Sequence, residues 1–371
     1  MHNNASSEPP SSRLVCVAAR VLWHTSTGMT DRTSRIVVAG AGSIGCYVGG
    51  CLALAGRDVG LLLRPLLADD IAGHGLRISD LEGGEVTLPP SAMRLGTDPA
   101  VALAQARIVL VTVKSGGTAQ MAELIARHAP LEAIVVSLQN GVGNLEVLGA
   151  HIGPPRRLVA GMVAFNVVQS QRQGEAPRFH RATSGKILIG AGEAGLREAL
   201  DVPGASVAER SDMRSVMWGK LILNLNNALN ALSGAPLATE LADRRWRLLL
   251  ARQIDEALAV LAKAGIRPAR VEGVPPRAIP LILRLPDGLF RLLARRMLAI
   301  DPEARSSMWE DLLRGRATEI DYLQGAILEL AAKTGTPAPV TERIVGLVKA
   351  AEKAHAGSPR LQPDEVAGAA A

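Results

Sequence analysis

A run of apolar, β-branched residues that ends in a glycine cluster constrains the fold more than any other segment of the chain. Arg35-Ile-Val-Val-Ala reads as a buried parallel strand. It leads directly into the sequence Gly40-Ala41-Gly42-Ser43-Ile44-Gly45. Glycines at this spacing allow a tight turn, a close approach of the backbone to a pyrophosphate, and close packing of the next helix on the strand. These six residues predict a dinucleotide-binding site, and a glycine-rich turn without a ligand is the alternative.

The pattern after this motif alternates between strands and helices. Strands are predicted at residues 58–63, 106–113 and 133–138, with a helix at 120–128, and two further strands at 159–168 and 186–189 extend the sheet. From about residue 211, alanine, leucine and arginine recur at helical period over residues 213–232, 236–264, 289–297, 307–333 and 340–355. We predict an α/β fold, in which an N-terminal Rossmann-type doubly wound parallel sheet is followed by an all-helical C-terminal domain.

The predicted organisation has four parts. Residues 1–34, rich in serine and proline, form a disordered extension, and residues 35–207 form the dinucleotide-binding domain. Residues 208–356 form the helical domain, and residues 357–371 form a flexible tail. The uncharged stretch 36–56 holds six glycines and begins with β-branched residues, which favours a strand and a helix over a transmembrane span. No secretory signal is predicted either, because the extension lacks a small-residue cleavage site.

The amino-acid composition limits the classes of molecule that the protein is expected to bind. Aromatic residues make up 2% of the chain, which disfavours recognition of nucleic acid by base stacking. Three poorly spaced cysteines predict neither a disulfide framework nor a metal site, and they favour a reducing cytoplasm. The net charge of +6 originates in residues 244–316, which hold 15 Lys and Arg against 8 Asp and Glu. Such an excess suits nucleic acid, a membrane surface or an anionic small molecule, but we favour a solvated basic face. Its arginines are spread around helices, among them Arg244, Arg245, Arg247 and Arg252.

The end of the second predicted strand discriminates between dinucleotides. An enzyme that uses NAD usually places Asp or Glu there, where the acid binds the ribose 2′-hydroxyl. Here the strand ends Leu61-Leu-Leu-Arg64, and the next acidic residue is Asp69. A guanidinium can grip a 2′-phosphate through two hydrogen bonds. Arg64 therefore predicts NADPH (or NADP) as the cofactor, and a surface arginine without a ligand is the alternative.

Two polar residues follow later strands at the edge where open α/β sheets bind ligands. Lys114 follows the strand 106–113, and Asn140 follows the strand 133–138 and precedes Gly141. We expect Lys114 to pair with phosphate or ribose groups of the cofactor. Asn140 is expected at the nicotinamide end and at the substrate. Either residue can instead be a solvated loop residue.

A lysine and four asparagines lie on the first long helix of the predicted helical domain. The segment Trp218 to Asn230 places Asn224 at +40° and Asn227 at −20° from Lys220, at 100° per residue, so these three residues share one face. Asn230 lies on the flank of that face. Asparagine disfavours helices, so a cluster of four marks a functional face. A partly buried lysine gives up its proton readily, which suits a general acid near neutral pH.

A second cluster of polar residues lies between Ser306 and Asp321. Ser307 with Glu310 reads as a capping box at a helix N-terminus, a position that also suits a substrate carboxylate. Gly315 reads as a helix stop and Thr318 as a new N-cap. The break can turn Glu319 towards the site that Ser307 faces. The alternative for Glu319 is a first-turn acid stabilised by the helix dipole.

Taken in order, these residues closely resemble the ketopantoate reductase family (2-dehydropantoate 2-reductases). The resemblance covers about residues 35–352 and rests on the glycine loop, Arg64, Lys114, the Gln139-Asn140-Gly141 turn, Lys220 with Asn224, and Ser-Ser-Met…Asp…Arg…Thr-Glu-Ile-Asp. It implies reduction of ketopantoate to (R)-pantoate with NADPH in pantothenate synthesis. Lys220 is then the proton donor, and Glu319 acts at the catalytic centre and binds cofactor. Asn140, Asn224 and Ser307 bind substrate, together with Asn227 or Asn230.

This chain departs from the family pattern in two places. The second family asparagine falls eight residues after the lysine, where this chain has Ala228, and the segment 275–305 is distinctive. One rival interpretation is another NADP-dependent oxidoreductase of 2-keto or β-hydroxy acids, but such enzymes lack the Ser-Ser-Met…Thr-Glu-Ile-Asp segment. A second rival is a non-catalytic NADP-sensing protein, which the presence of both Lys220 and Glu319 disfavours. The predicted partner is a small 2-keto acid, without nucleic acid or membrane, and a homodimer stays open.

Overall fold

The computed structural model describes residues 35–270, 273–293 and 304–368, so the predicted extension 1–34 lies outside the described residues. In chain order the strands are β1 (Ile36–Ala39), β2 (Val59–Leu62), β3 (Leu76–Ser79), β4 (Glu85–Leu88), β5 (Arg94–Gly96), β6 (Ile108–Val111), β7 (Ile134–Ser137), β8 (Arg157–Val163), β9 (Val167–Ser170), β10 (Arg178–Arg181), β11 (Ile187–Gly190) and β12 (Val207–Arg210). The helices are α1 (Ser43–Leu54), α2 (Pro65–His74), α3 (Pro99–Leu103), α4 (Thr118–His128), α5 (Asn144–His151), α6 (Leu196–Leu200), α7 (Met213–Asn224), α8 (Asn226–Ser233), α9 (Leu237–Ala242), α10 (Arg244–Lys263), α11 (Ile279–Leu283), α12 (Asp287–Leu293), α13 (Ser307–Leu313), α14 (Ile320–Thr334), α15 (Pro339–Ala354) and α16 (Pro363–Ala367).

The large sheet has the strand order β12-β11-β8-β7-β6-β1-β2-β5. Strand β1 lies in its middle, where Ile36 pairs in parallel with Val59 of β2 and with Ile108 of β6. All four residues of β1 are buried, since helices cover both faces of the sheet. These strands all run parallel, and the order in which the chain adds them reverses at β1, so the carboxyl ends of β1, β2, β6 and β7 lie at one edge. The predicted fold class is confirmed.

Three details of the sheet differ from the sequence prediction. The segment 159–168 is not one strand, because β8 joins the large sheet while β9 joins a second sheet with the order β4-β3-β10-β9. Strand β11 is antiparallel to β8, and only β12 beside it is parallel to β11. The last strand, β12, also runs past the predicted boundary at residue 207. We call residues 35–210 the sheet domain and residues 213–368 the helical domain.

The helical domain buries a single large apolar cluster. Its members come from α7, α8, α10, α14 and α15, and they include Leu221, Leu229, Leu250, Ile327 and Ile344. Helix α7 also contacts the sheet domain, because Met213 and Val216 pack against Met162 of β8. The first half of α7 is therefore anchored on the sheet and its second half in the helical core.

Two helices predicted as continuous are divided in the structure. The segment 213–232 is interrupted at Leu225, whose carbonyl oxygen accepts a hydrogen bond from Gln324 Nε2 of α14 at 2.9 Å. The segment 236–264 is divided at Asp243, whose carboxylate caps α10 by accepting from the backbone N–H of Arg245 at 2.8 Å. In both cases a side chain provides a hydrogen bond that competes with the regular helix.

The predicted flexible tail is ordered as far as residue 368. Leu361 N–H donates to the Leu232 carbonyl at 2.9 Å, and the short helix α16 buries Val366 against the helical core. Arg343 Nε donates to the Val366 carbonyl at 2.7 Å. The apolar Leu361 and Val366 therefore hold this segment, although its proline, glycine and alanine content predicts a coil. No helix among the described residues has the length and apolarity needed to cross a bilayer.

One arginine of the basic region lies in the interior. Arg247 of α10 is 0% exposed, and its guanidinium lies 4.2 Å from the ring centre of Phe290. It donates hydrogen bonds to four backbone carbonyls at or just beyond the ends of α9 and α11, and to Asp287 at 2.6 Å. The interpretation as a solvated face is therefore wrong for Arg247, whereas Arg252 of the same helix is exposed.

These contacts generate a stability prediction. Arg247→Met should lower the free energy of unfolding by about 2–4 kcal/mol, because buried carbonyls lose their donor. The matched variant Arg252→Met, on the same helix, should change it by less than about 0.5 kcal/mol. Urea unfolding followed by circular dichroism measures both. Equal stability of the two variants would contradict the role assigned to Arg247.

Candidate active site

The glycine loop has the geometry that its three predicted roles require. Gly40 has φ of +79°, and a Cβ atom there would lie 2.0 Å from Val113 Cγ1, so only glycine fits the turn. A Cβ atom on Gly45 would lie 2.8 Å from Val38 Cγ1, which brings α1 close to the sheet. A Cβ atom on Gly42 would meet nothing within 4 Å, so this backbone faces open space. The loop thus combines a tight turn, close packing and room for a ligand.

The N-terminus of α1 fits a phosphate group. The helix begins at Ser43 after Gly42, and no side chain caps it. Ala41 N–H donates to the Leu62 carbonyl at 2.9 Å, which ties the loop to the end of β2. The amides of the first helical turn and the helix dipole favour an anion at this position. Residues 40–45 are therefore compatible with the diphosphate of a dinucleotide.

Arg64 lies at the end of β2, beside this loop. It is the N-cap residue of α2, it is exposed, and neither aspartate nor glutamate occurs at the end of the strand. Asp69 lies within α2 itself. Arg64 lies where the sequence predicts a cation, and its pairing with a 2′-phosphate stays a prediction.

A buried polar network supports the loops that follow β6 and β7. Gln139 Nε2 donates to the Val113 carbonyl at 3.1 Å and to Thr118 Oγ1 at 2.6 Å. Asn144 Nδ2 donates to the Asn140 carbonyl at 2.7 Å and to Ser115 Oγ at 3.3 Å. Asn140 is thereby fixed by its backbone while the residue itself stays exposed. The sequence analysis named Asn140 but missed the network, whose only signal is small polar residues after two strands.

Two residues after β6 join the sheet domain to the helical domain. Lys114 Nζ pairs with the carboxylate of Asp311 in α13, and its contact with the cofactor stays a prediction. Ser115 donates to Glu319 Oε1 twice, through its backbone N–H and its hydroxyl, both at 3.0 Å. Burial raises the pKa of Asp311, and the nearby Lys114 ammonium opposes that shift. Asp311 and Ser115 are site residues that the sequence analysis did not select.

The predicted helix stop at Gly315 is confirmed, but the N-cap of the next helix is Glu319 rather than the predicted Thr318. Helix α13 ends at Leu313, and Gly315 follows with φ of +59°. Glu319 is the N-cap residue of α14, and the hydroxyl of Thr318 accepts from the Ile320 N–H at 3.2 Å. The break directs Glu319 towards Ser115, at the carboxyl edge of the sheet.

The predicted capping box at Ser307 is wrong by one residue. Ser306 is the N-cap of α13, and its Oγ accepts from the Trp309 N–H at 3.1 Å. Ser306 is buried, whereas Ser307 is exposed in the first turn. The hydroxyl of Ser307 is therefore available to a ligand, because capping occupies its neighbour.

The asparagines of the candidate helix separate into two groups. Lys220, Asn224 and Asn227 are half-buried. Asn230 is 0% exposed, and its Nδ2 donates to Glu240 Oε2 at 2.5 Å and to the Ala235 carbonyl at 2.9 Å. Its Oδ1 accepts from the Ser306 N–H at 2.9 Å. Asn230 is thus used inside the helical domain rather than at the predicted substrate site.

Ala228 is completely buried, so the position of the second family asparagine faces the core in this chain. Its neighbour Asn227 is half-buried. Asn227 therefore stays a candidate for the role of that asparagine, and Asn230 does not.

The two adjacent serines give a second prediction. Ser306→Ala should lower the free energy of unfolding by about 1 kcal/mol, the usual value of an N-cap. Ser307→Ala should leave it within about 0.5 kcal/mol, because the residue is exposed. Thermal and urea unfolding compare the two variants directly. A larger loss of stability for Ser307→Ala would restore the capping role predicted for it.

A doubly wound sheet with a glycine loop at its central strand, joined to an all-helical domain that bears the lysine, defines a two-domain oxidoreductase of the dinucleotide-binding type. The family description "Ketopantoate reductase PanE/ApbA" matches residues 36–194, and "Ketopantoate reductase PanE/ApbA C terminal" matches residues 212–352. The chain belongs to the ketopantoate reductase family, as the sequence motifs indicate.

Individual relatives agree with this assignment. The chain is 31% identical over 350 residues to a 2-dehydropantoate 2-reductase of Mesorhizobium japonicum, covering 85% of this chain and 97% of the relative. It is 29% identical to the enzyme of that name from Halobacterium salinarum, over 86% and 99% of the two chains. A PanE/ApbA family ketopantoate reductase from Ralstonia eutropha superposes with a TM-score of 0.72 at 27% identity, over 86% and 99% of the chains. A D-mandelate dehydrogenase with NADH shares the fold, with a TM-score of 0.69 at 21% identity over the same shares of both chains.

Proposed function

We propose that this oxidoreductase reduces a 2-keto acid with NADPH, and that the acid is 2-dehydropantoate, which yields (R)-pantoate. The contact between Glu319 and Ser115 is the observation that carries this proposal. It brings the polar residues of the helical domain to the carboxyl edge of the sheet, where a dinucleotide on the glycine loop would end. The names of the relatives support the choice of substrate.

The cofactor side of the site divides among three groups of residues. Residues 40–45 would hold the diphosphate, and Arg64 would pair with the 2′-phosphate through two hydrogen bonds. Asn140 and Glu319 lie at the sheet edge where the nicotinamide end belongs. When bound, NADPH supplies the hydride that reduces the ketone carbon. Lys114 uses one of its three N–H donors for Asp311, and we propose that the others contact the cofactor.

The substrate side is formed by the helical domain. Lys220 donates a proton to the oxygen of the C2 ketone as that oxygen gains negative charge. Asn224 and Asn227 hold the hydroxyl or carboxylate of the substrate by hydrogen bonds from their amides. Ser307, exposed in the first turn of α13, donates to the carboxylate. Glu319 accepts from Ser115 and so fixes the edge against which the substrate lies.

The shared fold alone selects neither substrate nor cofactor, because a D-mandelate dehydrogenase with NADH has it as well. Buried Ala228 replaces a family asparagine, so a different 2-keto acid is the second candidate substrate. A cytoplasmic location and a homodimeric assembly stay predictions.

An assay of cofactor oxidation with a panel of 2-keto acids tests the reaction. We expect kcat/KM to be highest with 2-dehydropantoate and NADPH. In Arg64→Ala the KM for NADPH should rise by about 10- to 100-fold, the equivalent of one charge-assisted phosphate contact. Weak NADH activity should barely change, since NADH carries no 2′-phosphate. Equal losses with both cofactors would contradict the role of Arg64, and absence of turnover with every 2-keto acid would favour an NADP-sensing protein.

Lys220 gives a separate prediction. Lys220→Ala should lower kcat by about 10²–10⁴-fold, the contribution of a positioned general acid. NADPH affinity, measured by fluorescence titration, should stay the same because the glycine loop and Arg64 lie in the other domain. Lys220→Arg keeps the charge but should remain slow, since a guanidinium does not release its proton. Near-normal turnover of Lys220→Ala with intact cofactor binding would refute the assignment.

A further inference from the structure

A fully buried carboxyl group lies behind the asparagines of α8, outside the residues assigned above. Glu240 belongs to α9, and it is 1% exposed. Its Oε2 accepts from Asn230 Nδ2 at 2.5 Å, and no salt bridge involves it among the described residues. Its second oxygen, Oε1, is buried without a hydrogen-bond partner, and Asn226 Oδ1 is buried in the same condition. Two orphaned acceptors in one interior are costly, because each has lost its water.

A proton on Glu240 removes the charge from this interior. If Glu240 is neutral, Oε2 still accepts from Asn230, and Oε1 is a hydroxyl rather than half of an unpaired carboxylate. A carboxylate would instead be an unpaired charge in the interior.

The surroundings of the carboxyl favour the neutral form. Burial raises the pKa of Glu240 to about 8, and the amides of Asn230 and Asn226 oppose that rise. The charged side chains on the helices that pack near Glu240 form ion pairs with other residues. Asp243 pairs with Arg245, Arg247 pairs with Asp287, and Asp311 of α13 pairs with Lys114. Among the described residues, the hydrogen bond that holds the Glu240 carboxyl comes from the neutral amide of Asn230, and no cation pairs with it.

The same carboxyl determines how α13 begins. Asn230, fixed by Glu240, accepts from the Ser306 N–H at 2.9 Å. Ser306 Oγ in turn donates to the Asn227 carbonyl at 3.0 Å and caps α13. A continuous chain of hydrogen bonds thus runs from Glu240 through Asn230 to the residue next to Ser307 and to the backbone of Asn227.

We propose that Glu240, as a neutral acid, is a positioning residue that fixes α8 against the first turn of α13 and so sets the separation of Asn227 and Ser307. The assignment of these two residues to substrate binding rests on the proposed function. The protonation of Glu240 and its hold on α13 do not.

Kinetics of three variants test the positioning role. Glu240→Gln keeps an acceptor for Asn230 and is uncharged like the neutral acid, so the KM for the keto acid and kcat should stay within about twofold. Glu240→Ala should raise the KM for the keto acid by about tenfold or more and leave the Kd of NADPH unchanged, because substrate contacts are misplaced. Thr341→Val is the matched control, since Thr341 is also fully buried and donates to Glu256 at 2.8 Å, within α10 and α15. It should lower Tm without moving either constant.

The proton itself is measured without substrate. An infrared spectrum of the wild type at pH 7 should show a neutral carboxylic acid band that Glu240→Gln lacks. Above the ordinary pKa of 4.5 the unfolded chain loses the proton that the folded protein keeps up to about 8. The free energy of unfolding should therefore fall as the pH rises through this interval, and less steeply in Glu240→Gln.

Three outcomes would overturn the proposal. They are a missing infrared band, an unchanged KM for the keto acid in Glu240→Ala, and an equal rise in the Kd of NADPH. Should Glu240→Ala not fold, Glu240→Met replaces it, since it fills the same volume without polar atoms. A wild type that reduces no 2-keto acid would refute the proposed function, while the infrared and unfolding measurements would still decide the state of Glu240.

Discussion

The hydrogen bonds between Ser115 and Glu319 are the interaction on which the candidate site depends. A hydrogen bond to an ionised group contributes about 1.5–3 kcal/mol, and Glu319 accepts two of them. The neighbouring pair of Lys114 and Asp311 contributes less, about 0–1 kcal/mol, because half of the lysine side chain is exposed. The serine contact therefore fixes the approach of the helical domain to the sheet edge. Breaking the ion pair between Lys114 and Asp311 therefore costs less free energy than breaking the hydrogen bonds between Ser115 and Glu319.

A buried network of hydrogen bonds supports the contact between Ser115 and Glu319. Ser115, Thr118, Gln139 and Asn144 are all buried, and each donates or accepts within one network. A buried polar network is rigid only when each of its groups makes a hydrogen bond, because a buried group without a partner has lost its hydration and destabilises the fold. The loop after β6 can hold Glu319 in place because Asn144, which follows β7, donates to Ser115 Oγ at 3.3 Å and so holds Ser115 in place.

Sequence patterns predicted those parts of the molecule that local chemistry determines. Gly40 and Gly45 are required by steric contacts with Val113 and Val38, so their spacing carries the information about the turn and the helix. The position of Arg64 after β2 follows from the alternation of strands and helices in the sequence. Sequence patterns did not predict local structure that depends on a hydrogen bond from a residue far away in the sequence. The helix is interrupted at Leu225, where Gln324 donates a hydrogen bond to the Leu225 carbonyl. Asn230 is buried away from the predicted substrate site, because its side-chain amide bonds to Glu240 and to the Ser306 N–H. Nothing within either local segment encodes those partners.

Helix α7 has a mechanical consequence. Its first half is fixed to β8 and its second half to the helical core, and Lys220 lies between Val216 and Leu221, which belong to these two anchorages. The predicted proton donor is therefore carried by one continuous helix that belongs to both packing interfaces. Its distance from the sheet is set by helix geometry, with a rise of about 1.5 Å per residue, rather than by a flexible loop.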